Sequence, residues 1–329
     1  MTTALVDADI VAFKAAAKTM DRFDGELIGD PKTAIREAEL ILESWIRPVK
    51  ATTVVLCWSC PTRKYFRHDI YPEYKGNRGG EKPPTLGAVI EHLKNKYKSV
   101  WYAGLEADDV LGILSGNPDV PDPVVISIDK DMLTLPTKFY NPDKYTRPIR
   151  NNVGMADRLM FKQALMGDST DFYKGVPGCG NVKSDKILDS ARPSNMWPTV
   201  LQTFLDANLT ESYAMTMVRL ARILRFEDYN FETGEVRLWH PTQPIMMKPS
   251  ALNTTSSTTG SKPLITSLES VPNLKETKQP SLPTSSNTSV DIVEKEPPNE
   301  TSQKPRGISK GSKTKSTKKK GAQRNANTA

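Results

Sequence analysis

The chain has 329 residues, with 45 Lys+Arg against 38 Asp+Glu, a formal charge of +7 and an isoelectric point near 9.1. That length suits one large domain or two ordinary ones. No apolar run approaches the ~18 residues of a membrane helix, and three cysteines and three widely spaced histidines exclude a disulfide framework and a ligand-spaced histidine pair.

The opening stretch, MTTALVDADIVAFKAAAK, has neither a basic leader nor a small-residue cleavage site, so it reads as folded chain, not as a signal peptide. Strand-like runs follow at residues 4–6, 53–57, 99–102 and 124–128, with shorter ones near Phe139 and at 236–239. Helical patterns lie between them at 10–18, 32–45, 86–96 and 108–115. Short β-branched runs alternating with helices predict an α/β fold, a mostly parallel sheet covered on both faces, over residues 1–150. Residues 151–240 read as mainly helical, with patterns at 155–166, 181–189 and 211–225. Residues 241–329 carry 14 basic and 6 acidic side chains, a net +8, which leaves residues 1–240 at −1. Rich in Ser, Thr and Pro, and ending in nine basic residues with no acid from Lys304 onward, that last segment is expected to be a disordered linker with a basic arm.

Acids fall where strands and helices should end. Asp7 and Asp9 follow ALV; Glu106, Asp108 and Asp109 follow VWYAG; Asp129 and Asp131 follow VVISI; Asp168 and Asp171 stand in GDSTD. Singly, each is as well explained by helix capping. Together they suggest a cluster at the carboxyl ends of the strands, where open α/β sheets bind ligands. Converging carboxylates repel without cations, and hard divalent ions with oxygen ligands answer that. Lys75 and Arg78 in YKGNR share one face if that segment is helical, and such a pair can clamp a phosphate. Gly175, Gly178 and Gly180 in GVPGCGNVK lead into a helix, where close backbone approach and a helix N-terminus suit an anion. Arg219, Arg222 and Arg225 recur at every third position, a pattern for tracking phosphates or for a solvated face. Tyr74, Trp101 and Trp239 suit base stacking or the core, and Cys57-x-x-Cys60 is read mainly as strand-end packing.

In order, VDAD, EYKGNR, EADDV, DKD, GDxxD and GVPGxG resemble the flap endonuclease/5′→3′ exonuclease superfamily, and RLARILRFEDYNF…VRLWHP is similar to its branch in short-tailed lytic phages. The resemblance implies a PIN-like α/β/α nuclease domain at 1–150, a helix-three-turn-helix subdomain at 151–240, and magnesium- or manganese-dependent removal of nucleotides from 5′ ends. It implies a first ion at Asp7, Glu106, Asp108 and Asp109, and a second at Asp129, Asp131, Asp168 and Asp171. Lys75 and Arg78 would contact the scissile phosphate. Gly175, Gly178, Gly180 and Lys183 would grip the duplex backbone, with a potassium ion at that hairpin. Implied partners are DNA ends, nicks and flaps, RNA–DNA hybrid and phage replication proteins, with no membrane, in the cytoplasm of a bacterial host.

Two departures stand out. Relatives usually carry an aspartate just after the strand at 53–57, whereas no acid lies between Val54 and Asp69 here, which leaves Asp9 or water to compensate. The segment after YKGNR is short and holds two prolines, which argues against a long helical arch. Three rival readings are a haloacid-dehalogenase-type phosphatase using Asp7 and Asp9, a PIN-type ribonuclease, which would have fewer acids and no glycine hairpin, and a DNA-binding replication accessory with a weakened site.

Overall fold

Five buried residues, Thr3–Asp7 (β1), form a central strand whose side chains alternate between two apolar layers, Ala4 and Val6 on one side and Leu5 on the other. A strand covered on both faces requires such an unbroken apolar run. The computed structural model describes residues 1–192 and 195–241. The tail expectation, apart from Pro241, lies outside the described residues.

The chain continues through α1 (Ala8–Lys18), β2 (Met20–Phe23), β3 (Glu26–Gly29), α2 (Pro31–Ile46), β4 (Thr53–Cys57), α3 (Phe66–Ile70), α4 (Leu86–Lys96), β5 (Ser99–Val100) and α5 (Ala107–Gly116). Next come β6 (Pro123–Ile126), β7 (Lys138–Tyr140), β8 (Ile149–Arg150), α6 (Val153–Met166), β9 (Gly167–Asp168), β10 (Tyr173–Lys174), α7 (Asn181–Asp189), α8 (Met196–Asp206) and α9 (Glu211–Ala221). The six-stranded sheet has the order β5-β4-β1-β6-β7-β8, parallel except for β8. Succession runs outward from β1 to β5, then returns to β6 on the other side of β1. The carboxyl ends of β1 and β6 therefore flank the point where an open sheet forms its ligand crevice.

One face packs Val6, Leu56 and Ile126 against α1, α2 and α4 through Val11, Leu42, Trp45, Val89 and Leu93. The other packs Leu5, Val55 and Val125 against α5 through Val110, Leu111 and Leu114. A further core, with Phe161, Leu165, Val200, Phe204, Met217 and Val218, joins α6, α8 and α9. Tyr65 and Tyr74 from the first half of the chain are buried in that core too, so residues before 150 build part of it.

Several local expectations are corrected. The 99–102 strand shrinks to Ser99–Val100, and 236–239 yields one bridge, Tyr229 to Val236. The 211–225 helix stops at Ala221. The hairpin β2–β3 has no counterpart among the expected strands, although its Asp24-Gly25 tip, with φ of 50° and 87°, is a standard two-residue turn signal. The helix α8 carries Pro198 in its first turn, a position that needs no intrahelical N–H.

Candidate active site

Asp7 ends β1 and caps α1, accepting the Ile10 amide at 3.3 Å. Its other oxygen accepts the Ser127 hydroxyl at 2.9 Å, which ties it to the end of β6. It is 1% exposed, and burial, with Asp9 and Asp129 nearby, pushes its pKa up to about 7. Ser127 also receives the Asp129 amide at 3.0 Å, and Asp129 in turn accepts the Asp131 amide at 2.8 Å. The β6 exit thus curls so that Asp129 stands near Asp7, while Asp131 is turned toward Asp168 and Asp171. Asp108, in the first turn of α5, is raised well above the ordinary range by burial and by the charges of Asp7 and Asp129.

Asp131 is raised to about 7 by burial and by Asp129, with Asp168 and Asp171 contributing; Gln163 of α6 donates to it at 2.6 Å. Asp168 begins the tight turn between β9 and β10, where its carboxylate accepts the amides of Thr170 and Asp171 at 2.6 and 3.1 Å. The separate acid clusters of the sequence therefore meet in one electrostatic network.

Glu106 behaves differently. Burial works to raise its pKa, but Lys75 and Arg67 outweigh it and hold the carboxyl below its ordinary value. Lys75 contacts one Glu106 oxygen and lies 3.4 Å from Asp171, while the Tyr74 hydroxyl stands 2.8 Å from Glu106 and 3.0 Å from Asp171. Arg78, exposed, reaches Asp171 at 3.0 Å. The YKGNR segment is a turn, not a helix, and Lys75 has a left-handed φ of 55°. Lys75 and Arg78 converge through that turn, with the Lys75 amide held by the Asp171 carbonyl at 2.9 Å.

Asp109, expected among the ligands, is fully buried, and both its oxygens are engaged. Arg67 bonds them at 2.6 and 2.8 Å, and the Leu224 amide adds a third bond at 3.1 Å. Asp109 is thereby turned to Arg67 and the end of α9, whereas Glu106, which shares Arg67, also meets Lys75 and Tyr74 on the side of the other acids. Arg67, which no sequence motif singled out, is the residue missed; its buried guanidinium gives no periodic signal. Arg222 and Arg225 are likewise buried, paired with Asp228 at 2.7 Å and Asp157 at 2.6 Å, so neither tracks phosphates nor forms a solvated face.

Asp9 accepts the Ser59 amide at 3.1 Å and pairs with Arg63 at 3.4 Å, so it is not the free acid–base that the phosphatase alternative needs. Beside it an apolar groove of about 570 Å³ runs between α1 and α4, lined by Phe13, Leu86 and Ile90 with Lys14 and Arg63. Cys57 lies in the α5-side core and Cys60 in the helical core, so the pair forms no chelate. Tyr74 is buried, Trp101 is 44% exposed, and Trp239 packs on Phe161 and Trp197.

Gly175 lies where a Cβ would come within 2.2 Å of the Leu165 carbonyl oxygen, which makes it a packing glycine. Gly178, with φ of 67°, and Gly180 open to solvent just before α7, with Lys183 exposed in its first turn.

Among the described residues no three acids stand in a closed coordination set. The donor chemistry nonetheless fits hard divalent ions. Asp7 has a hydroxyl and an amide for partners, and the like charges of Asp7, Asp108 and Asp129 lie close enough to disfavour one another, which a cation relieves.

Residues 2–155 match the family model described as 5′-3′ exonuclease, N-terminal resolvase-like domain. The chain is 28% identical over 208 residues to the exodeoxyribonuclease of Enterobacteria phage T3, spanning 52% of this chain and 68% of that protein. The exonuclease of Escherichia phage T7 is also 28% identical over 208 residues, spanning 52% of this chain and 69% of that protein. Among solved structures, the T5 D15 protein co-crystallised with metal ions has a similar fold, with a TM-score of 0.52 at 18% identity, covering 67% of this chain and 89% of that one.

Proposed function

From the match of residues 2–155 to the 5′-3′ exonuclease N-terminal, resolvase-like domain model, we propose that the chain is a phage-type 5′→3′ exodeoxyribonuclease with flap endonuclease-like activity. It acts on 5′ ends of duplex DNA, nicks and flaps, and its reaction depends on two divalent ions, magnesium or manganese. The observation that carries the reading is the meeting of acids from β1, α5, the β6 exit and the β9–β10 turn around Lys75 and Arg78.

Asp7, Glu106 and Asp108 hold the first ion, and Asp129, Asp131, Asp168 and Asp171 the second; Asp109 is reassigned to holding Arg67. Bound ions of this kind activate water and stabilise charge on the attacking and leaving oxygens. The protein's own share is positioning and charge. Lys75 and Arg78, held by Asp171, exchange that carboxylate for the scissile phosphate and offset the negative charge that builds on it. Tyr74 keeps Glu106 and Asp171 at a fixed separation. The Gly178–Gly180 turn and Lys183 grip the duplex backbone at the start of α7, where a potassium ion also fits the reading. Primer removal at replication forks and degradation of host DNA, in a bacterial cytoplasm and beside phage replication proteins, follow from this assignment.

Digestion of a 5′-labelled duplex with and without magnesium tests it, comparing the wild type with Asp129→Asn. Loss of nucleotide release in the variant and in chelator is expected. Equal activity of the two proteins, or cleavage without metal, refutes the two-ion reading.

A further inference from the structure

Arg67 is 2% exposed, and its guanidinium sits where three parts of the chain meet. Its N–H groups have the following partners. Nη1 donates to Glu106 at 3.0 Å and to Asp109 at 2.6 Å. Nη2 donates to Asp109 at 2.8 Å and to the Arg222 carbonyl at 2.7 Å. Nε donates to the Leu220 carbonyl at 3.3 Å. A guanidinium has five N–H donors, so this side chain is saturated. The two carbonyls belong to the end of α9, which leaves its last turn with unpaired acceptors that a cation satisfies well. Asp109 completes the junction by accepting the Leu224 amide at 3.1 Å and the Glu106 amide at 3.3 Å.

We infer that Arg67 is a positioning residue that makes the placement of the Glu106 carboxylate conditional on the docking of the chain segment Leu220–Leu224. The physical reason is geometric. One rigid planar fork bonds Glu106, the α5 acid Asp109 and the α9 terminus at once, so none of the three can shift alone without stranding a buried charge. Glu106 has its remaining bonds to Tyr74 and Lys75 on the neighbouring turn. Its orientation is therefore set from two directions, one of them carried by the helical part of the molecule. Removing the fork frees the carboxylate to swing and uncaps α9. A lysine at this position supplies charge but only a single point of donors, which cannot span Asp109, Glu106 and two carbonyls.

This rests on the ion-binding role proposed for Glu106, and its test separates the two. Mn²⁺ binding to the full chain without DNA is measured by calorimetry, alongside hydrogen exchange of the Leu224 amide. For Arg67→Lys, Mn²⁺ affinity is expected to fall about 10- to 100-fold, the range for losing a residue that orients a ligand. Leu224 protection is expected to drop in the same protein, at temperatures well below its thermal transition. Asp109→Asn, which keeps an acceptor for the Leu224 amide, serves if the lysine variant does not fold, and is expected to lower Mn²⁺ affinity while retaining Leu224 protection. A folded Arg67→Lys protein with wild-type Mn²⁺ affinity, or with unchanged Leu224 protection, overturns the inference. A wild-type chain that binds no Mn²⁺ overturns the ion-binding reading instead, and the exchange measurement then decides the coupling alone.

Discussion

The Ser59 amide donates to the Asp9 carboxylate at 3.1 Å, so an acid from the first turn of α1 stands at the exit of β4. That exit has no acid of its own, since CWSCPTRK follows β4 without one. Asp9 reaches it because α1 starts directly from β1, the strand that pairs in parallel with β4 from Thr3 opposite Thr53 to Asp7 opposite Cys57.

Asp9→Asn keeps an acceptor for Ser59 and removes only the charge. Its half-saturating magnesium concentration is expected to rise by about tenfold or less, with turnover at saturating magnesium nearly retained. A loss at saturating magnesium as deep as that of Asp129→Asn would make Asp9 a direct ligand.

Asp7 and Asp131, both raised to about 7, set a pH dependence. A carboxyl whose folded pKa lies above its unfolded value is protonated in both states at low pH, and its charge costs stability as pH rises from about 4 through 7. In chelator, the melting temperature should therefore fall between pH 5 and pH 8. Magnesium should raise it more at pH 8 than at pH 5, because ions compete with protons for the same oxygens. A magnesium effect equal at both pH values would refute this.

The glycines of the hairpin separate by packing. Gly175→Ala drives a methyl into the Leu165 carbonyl and should cost about 3 kcal/mol or more in thermal melts. Gly178→Ala meets no atom but must hold φ of 67°, at about 1 kcal/mol. Gly180→Ala meets neither obstacle and should melt like the wild type. A neutral Gly175→Ala would contradict the close approach.

Lys75→Ala should lower kcat by at least ~100-fold, the scale for one preorganised charge-stabilising group. Arg78→Ala should cost less, because its side chain is 55% exposed and solvent already screens it, whereas that of Lys75 is 10% exposed. Single-turnover cleavage of a saturating duplex end distinguishes them; the reverse ranking would reassign the phosphate contact.

Deleting residues 241–329 removes a net +8 of charge. DNA affinity and the steepness of its salt dependence should both fall, while the rate at saturating substrate in low salt stays near that of the full chain. A truncated chain inactive under those conditions would place part of the chemistry in the tail.

Much of this molecule could be read from local pattern. The runs ALV, TVVLC and VVISI became β1, β4 and β6 because a strand covered on both sides shows an uninterrupted apolar stretch, and Asp7 stands as the last residue of β1 and Asp129 three residues beyond β6. Spacing also placed the GVPGCG turn before α7. What spacing does not report is which distant residue a charge will meet. Asp109 and Asp108 are adjacent and look alike in sequence, yet one is paired with Arg67 and the other faces Asp7 and Asp129. Lys75 and Arg78 converge through a left-handed turn and not a helix face. Arg222 and Arg225 carry the pattern of a phosphate-tracking helix but are buried against Asp228 and Asp157. Secondary structure follows from side chains within a few positions of one another. The partner of a buried charge is chosen instead by the low-dielectric interior that the folded chain creates, and there every ion must find its counterion from wherever the topology brings one.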